Sequence, residues 1–181
     1  MQIFAKLIVV SIVFLSTCFV QPEAVEDKRI AEVVGVNDGD TLTVVFKHDG
    51  VQRKIRLATI DAPEFNQPFG RKSRQNLSEL AFRKNAIIIG KDVDRYQRIV
   101  GEVLVDGVNL NVAQIKQGYA WHYKRHQNQQ TPAERLIYSK AEEFARENKS
   151  GLWRDKNPMP PWEFRTRKGR TTEDGRPLKL N

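Results

Sequence analysis

The chain has 181 residues, enough for one domain with a core of its own and some residues left over at the ends. Its 40% hydrophobic and 29% charged residues are ordinary for a soluble globular protein, and a single cysteine excludes a disulfide framework. Thirty Lys and Arg against 22 Asp and Glu give a net charge of +8 and a pI near 9.7, a balance that favours polyanions such as nucleic acid or anionic lipid.

The first element is a targeting pattern. Met1 to Lys6 is short and basic, and Leu7 to Val20 is apolar, broken only by Ser11, Ser16 and Thr17. Charged and proline-bearing sequence follows from Gln21. This is the order of a secretory signal, too short to span a membrane comfortably. Cleavage after Cys18 or after Ala24 is compatible with it. Leu15-Ser16-Thr17-Cys18 loosely resembles a lipoprotein box, but threonine before the cysteine fits poorly, so Cys18 is read as part of a discarded signal. The expected division is a signal over 1–24, a barrel domain over 25–165 and a basic, mobile tail over 166–181. After signal removal the expectation is a monomer without a membrane span, secreted or periplasmic.

From Arg29 to Thr59 the pattern is β. Ile30 to Val36 is rich in β-branched residues, Asn37-Asp38-Gly39-Asp40 is a turn cluster, and Thr41 to Phe46 resumes the strand. Asp49-Gly50 marks a hairpin tip. In the next strand Val51, Ile55 and Leu57 share one face, and Gln52, Lys54 and Arg56 the other. A helix is expected over Gly70 to Lys84 on Leu77, Leu80 and Ala81, followed by strands over Ala86 to Ile89 and Ile99 to Val105 around a charged loop. A second helix is expected over Asn109 to Gln117, stopped by Gly118. A third starts at Thr131-Pro132-Ala133-Glu134, a capping box with proline at the first position, and its expected buried face is Ile137, Ala141, Phe144 and Ala145. Beyond Trp153 the chain turns Pro-rich and basic. Five strands, three then two, with three helices indicate a mainly β, α+β fold: a small five-stranded OB-type barrel.

Three segments carry candidate chemistry: Asp38-Gly39-Asp40-Thr41 between two strands, Arg56 to Glu64 where a strand ends in acids, and Asp94-Arg95-Tyr96-Gln97-Arg98 in a loop. Each alone is explained by turn chemistry or a solvated charge. Together they supply carboxylate oxygens for a hard divalent cation, a carboxylate to orient or deprotonate water, and arginines whose planar fork pairs with phosphate oxygens.

The order of these segments resembles the micrococcal nuclease (thermonuclease) family, and the likeness runs from about Ile30 to Trp153. Pro160-Pro161-Trp162-Glu163-Phe164-Arg165 also resembles the ending of exported bacterial and plasmid-borne members. The resemblance implies a Ca2+-dependent endonuclease that cuts DNA and RNA with little sequence preference and leaves 3′-phosphate ends. It implies that Asp40, Asp61 and the backbone carbonyl of Ala62 bind the metal. Glu64 orients or deprotonates the attacking water, and Arg56 and Arg98 grip the scissile phosphate. Arg95 and Tyr96 contact a neighbouring phosphate, and Tyr123 is the candidate stacking residue. Three departures from the family's best-known member are Ala62 in place of threonine, Gln97 in place of glycine, and a shorter Phe65 to Gly70 segment.

Other constellations are weaker. His48, His122 and His126 lack zinc-ligand spacing, and neither a Ser-His-Asp arrangement nor a Gly-rich phosphate loop is present. Trp121 reads as core, Trp153 and Trp162 as anchors for the C-terminal segment. Arg165, Arg167, Lys168 and Arg170 read as a solvated tail able to add non-specific phosphate contacts. The alternatives are a non-catalytic nucleic-acid or protein-binding module of the same fold, which would lack the acids and arginines, and a basic envelope protein, which leaves the ordered constellation unexplained.

Overall fold

The β-branched and aromatic residues of the N-terminal third build a three-stranded meander in the computed structural model, which describes residues 28–168. Strand β1 (Lys28–Val36) pairs antiparallel with β2 (Thr41–Phe46), and β2 with β3 (Gln52–Leu57). The other edge of β1 pairs with β5 (Asn85–Val93), which pairs with β6 (Ile99–Val105). β6 then returns alongside β3 in parallel, Ile55 opposite Ile99 and Leu57 opposite Gly101, and the five strands close into a barrel. Closure demands strong strand bending, supplied by bulges between Val33 and Gly35 in β1 and between Gly90 and Asp92 in β5. A short ribbon of β4 (Ile60–Asp61) and β8 (Trp121–His122) stands outside the barrel, and β7 (Val108–Asn109) extends β6.

Inward residues alternate along the strands. Val33, Val44, Phe46, Ile55, Leu57, Ile88 and Val103 are fully enclosed. Helix α1 (Gly70–Ala81) seals one end with Leu77 and Ala81. It is shorter than the expected run to Lys84 because Arg83 N–H donates to the Val33 carbonyl and Val33 N–H to the Lys84 carbonyl, which draws the chain into the sheet. Helix α2 (Leu110–Lys116) adds Leu110 and Ile115 to the core. Helix α3 (Pro132–Glu147) starts with the expected capping box, Thr131 with Glu134. Its buried face differs from the expected one: Tyr138, Ala141, Glu142 and Ala145 face inward, whereas Ile137 and Phe144 are about half exposed. The inward set keeps the helical spacing of three and four but starts one residue later, centred on a tyrosine and a glutamate that a purely apolar template passes over.

Among the described residues the expected three helices are corrected to four. Helix α4 (Pro161–Lys168) starts on Pro161, whose fixed φ suits a first helical turn. It extends three residues past the boundary expected at 165. Trp121, Leu152, Trp153 and Ala145 form a second apolar cluster with Phe69 and Trp162 packed on it, so the tryptophans are core and anchor as expected. Trp121 meets Trp153 and Trp162 edge-on, at ring-centre distances of 4.4 and 5.7 Å. The expected signal and the tail beyond 168 lie outside the described residues.

Candidate active site

The acids converge where β2 begins and β3 ends. Asp38 Oδ1 accepts the Asp40 N–H at 3.0 Å, which closes the turn. Gly39 is required there by close approach, since a Cβ would meet Ser73 Oγ of α1 at 1.9 Å and the Ala62 Cβ at 2.7 Å. Asp40, Asp61 and Ala62 are buried, and Asp40 Oδ2 accepts the Ala62 N–H at 2.8 Å. Two loops far apart in sequence are thus locked together through a proposed metal ligand.

Arg56 is fixed from several sides. It donates to the carbonyls of Leu57 (2.8 Å) and Ile60 (3.0 Å) and pairs with Asp40 (3.1 Å) and Asp61 (3.3 Å). As the strand alternation required, Ile55 and Leu57 fill the barrel while Arg56 lies outside them, beside the acids. Glu64 is partly exposed. Its N–H donates to Gln67 Oε1 at 3.1 Å, and Gln67 Nε2 donates to the Met159 carbonyl at 2.7 Å. The segment after Glu64 closes tightly onto α1, Gln67 N–H bonding the Glu64 carbonyl and Gly70 N–H the Gln67 carbonyl.

Arg98 precedes β6 by one residue, and the parallel register sets Arg56 opposite Val100, so the loop carrying Arg98 enters the seam beside Arg56. Asp94 organises that loop. Its Oδ1 accepts the N–H groups of Tyr96 (2.9 Å) and Arg98 (3.0 Å), and its Oδ2 receives Arg98 Nε at 2.8 Å and Nη2 at 2.7 Å. Desolvation is the largest single influence and raises the Asp94 carboxyl, but these donors together outweigh it and hold it below its ordinary value. Gln97 adopts φ 60°, the left-handed conformation glycine takes readily, so the turn is kept with a non-glycine residue. Tyr96 is exposed, with the Arg95 and Arg98 guanidinium carbons 4.8 and 5.4 Å from its ring centre. Tyr123 stands across a groove of about 510 Å³ that Arg56, Asp94, Lys91 and Gln129 also line, and its ring lies 5.5 Å from Trp162.

Three contributors are missing from the reading of the linear pattern. Helix α2 supplies buried amides: Gln114 Nε2 donates to the Gly39 carbonyl (2.6 Å), and Asn111 Nδ2 to the carbonyls of Ala58 (2.9 Å) and Gly101 (3.1 Å). Their signal was two polar residues at i and i+3 on a helix face shared with Leu110. The third is Arg165, expected in a solvated tail. Its Nη2 donates to Asp61 Oδ2 at 2.8 Å, and its Nη1 to Asp61 Oδ1 at 3.2 Å and to Glu64 Oε1 at 2.8 Å. The expectation is corrected because α4 turns the chain back over the site. His122, by contrast, is a buried structural residue, its Nε2 3.0 Å from Gln130 Oε1, and burial lowers its pKa.

Burial and mutual repulsion act on the acids of this corner. Burial, then the charge of Asp40, pushes Asp38 up to about 7. Burial also raises Asp61, against the opposing pull of Arg165 and Arg56. Among the described residues no three acidic, cysteine or imidazole side chains converge as a ready metal cage. A cation here would therefore rest on Asp40 and Asp61 with backbone and water oxygens, a donor set that suits a hard divalent ion. Carboxylates backed by two arginines at the edge of a barrel are the kinds of group that phosphodiester hydrolysis requires.

Comparison with known proteins agrees. Residues 54–155 match the model of the family described as staphylococcal nuclease homologue. A protein of Haemophilus influenzae described as an uncharacterized endonuclease is 42% identical over 139 residues, 77% of this chain and 74% of that protein. A micrococcal nuclease of Shigella flexneri is 38% identical over 143 residues, 74% of this chain and 79% of its own. A protein named ParB of Escherichia coli is 37% identical over 153 residues, 80% and 83% of the two chains. The chain belongs to the staphylococcal nuclease homologue family and is, by that membership, a hydrolytic nuclease. Asp40 and Arg165 lie outside the family-matched span.

Proposed function

We propose that this nuclease is a Ca2+-dependent endonuclease that hydrolyses DNA and RNA with little sequence preference and leaves 3′-phosphate ends. The observation that carries this reading is the convergence of Asp40 and Asp61 on Arg56, with Glu64 linked to Asp61 through Arg165 and Arg98 held beside the same seam by Asp94. Asp40, Asp61 and the Ala62 carbonyl would hold Ca2+, which when bound neutralises charge at the scissile phosphate. Glu64, the most accessible of the acids, orients or deprotonates the attacking water for in-line attack. Arg56 and Arg98 donate to the phosphate oxygens as charge develops, and Arg98 serves the leaving oxygen as well. Arg95 and Tyr96 engage a neighbouring phosphate, and Tyr123 stacks on a base across the groove.

Export to the periplasm or the medium belongs to the same proposal and rests on the Met1 to Val20 pattern. Among the described residues no helix is long and apolar enough to cross a membrane.

Plasmid DNA and RNA incubated with the purified protein, with calcium and then with a chelator, test the proposal. Calcium-dependent degradation to 3′-phosphate ends is expected. Binding without cleavage would leave a nucleic-acid-binding module instead. Glu64→Gln and Arg98→Ala are each expected to lower turnover on the order of 100- to 1,000-fold with unfolding midpoints near wild type. Wild-type turnover in either variant sinks the assignment of that residue.

A further inference from the structure

Arg165 meets the two acids that face the reaction from more than a hundred positions away in the chain. One fork of three hydrogen bonds spans Asp61 and Glu64, and the contacts to Asp61 engage both of its oxygens. Arginine makes such bidentate contacts where a carboxylate needs a fixed positive partner. The partner here is needed: Asp38, Asp40, Asp61 and Glu64 lie in one corner, and without Arg165 only Arg56, among the described residues, is ion-paired with these acids.

The attachment of α4 does not depend on this contact. Pro161 is buried, Trp162 packs against Trp121 and Tyr123, and Gln67 holds the Met159 carbonyl. The Arg165 side chain is itself 46% exposed, so its guanidinium can leave the acids for water without opening a cavity or undocking the helix. Asp61 by contrast is enclosed, its side chain 3% exposed, and Arg56 at 3.3 Å is its other charged partner.

We propose that Arg165 is a resident counter-cation of the active site, which a divalent metal must displace from Asp61 and Glu64. The C-terminal helix thereby sets the metal concentration at which the enzyme switches on. The proposal rests on the Asp40–Asp61 metal reading given above. It makes two statements that reading does not: the site stays paired and folded without metal, and removing the competing guanidinium strengthens metal binding. Each charge-assisted contact given up on metal entry opposes binding, so loss of the competitor is expected to tighten it by about tenfold or more.

Calorimetric titration of calcium chloride into the metal-free full-length protein, without nucleic acid, tests this in wild type, Arg165→Ala, Arg165→Lys, Arg167→Ala and Asp61→Asn. Arg165→Ala is expected to bind calcium about tenfold more tightly than wild type. Arg165→Lys, a point charge without the fork, should lie between them, and Arg167→Ala should match wild type. Tryptophan emission, which monitors the Trp121–Trp153–Trp162 cluster, should show α4 still docked in Arg165→Ala. Unchanged or weaker calcium binding in Arg165→Ala with docked α4 overturns the counter-cation role and leaves the metal reading intact. Absence of binding in wild type and Arg165→Ala alike, indistinguishable from Asp61→Asn, overturns both.

Discussion

At the scale of single residues, the aim of Arg98 is set by its neighbour four positions back. Asp94 uses one oxygen for two backbone N–H groups and the other for the guanidinium, so loop shape and side-chain direction share one carboxylate. Removing it with Asp94→Ala frees Arg98 to sample other rotamers, and misplacement by about 1 Å can cost roughly 100-fold in rate. A fall of kcat on the order of 10- to 100-fold is therefore expected from steady-state kinetics. The double variant Asp94→Ala/Arg98→Ala should be little worse than Arg98→Ala alone, because the two act as one unit. Additive losses would refute a positioning role. Asp40, Arg56, Asp61 and Arg98 were candidates in the sequence because their three segments, taken together and in order, resemble the nuclease family, whereas each segment alone reads as a turn or a solvated charge. Asp94 stood in the same segment as Arg98, but its task depends on the turn at Gln97, which spacing does not show. Arg165 was illegible for a different reason: among Arg167, Lys168 and Arg170 it reads as one more solvated charge, and only the Trp162 anchor returns it to the acids.

At the scale of elements, α3 shows what caps disclose and what periodicity hides. Thr131 and Glu134 identified its start from four letters, because a capping box is a local hydrogen-bond pattern. Its buried face was misread because Tyr138 and Glu142 take inward positions usually assigned to aliphatic residues. Glu142 is admitted there because Lys124 pairs with it at 2.8 Å and the His122 N–H donates to it at 3.3 Å. Glu134 does a second task beyond capping: it bonds Lys91 of β5, which also pairs with Glu102 of β6 at 2.9 Å. Partial burial raises the Glu134 carboxyl, but the Lys91 and Thr131 contacts outweigh it and bring the pKa from 4.5 to about 2. Since the folded value lies below the unfolded one, the stabilisation is complete above pH 4.5 and drains away as pH falls toward 2. Denaturant unfolding of Glu134→Gln should show lower stability than wild type near neutral pH. The gap should narrow through that acid window. A gap that stays constant down to the lower limit would show that the charge of Glu134 is not its source.

At the scale of the whole molecule, the active site exists because the barrel closes. The three-plus-two strand order was visible in the sequence, each strand being marked by its own alternation and turn residues. The closing pair was not, because β3 and β6 are separated by a helix and two strands, and no local pattern declares a parallel contact. That seam brings the Arg56 strand beside the Arg98 loop, and Asn111 clamps it by bonding the Ala58 and Gly101 carbonyls at once. Gly101 lets the strands approach: a Cβ there would meet the Ile89 carbonyl oxygen at 2.2 Å, against backbone that cannot rotate away. Gly101→Ala must therefore push β5 from β6 or open β6 from β3. Overpacking of this kind costs about 1 to 3 kcal/mol, to be read from denaturant midpoints. The same displacement moves the Arg98 loop relative to Arg56, so kcat should fall further than the folded fraction accounts for at the assay temperature. Asn111→Ala weakens the clamp without adding an atom and should cause a similar imbalance between activity and folded fraction. If activity in both variants simply tracked the folded fraction, the seam would be a stability element alone, and the pairing of the two arginines would not depend on how tightly it is drawn.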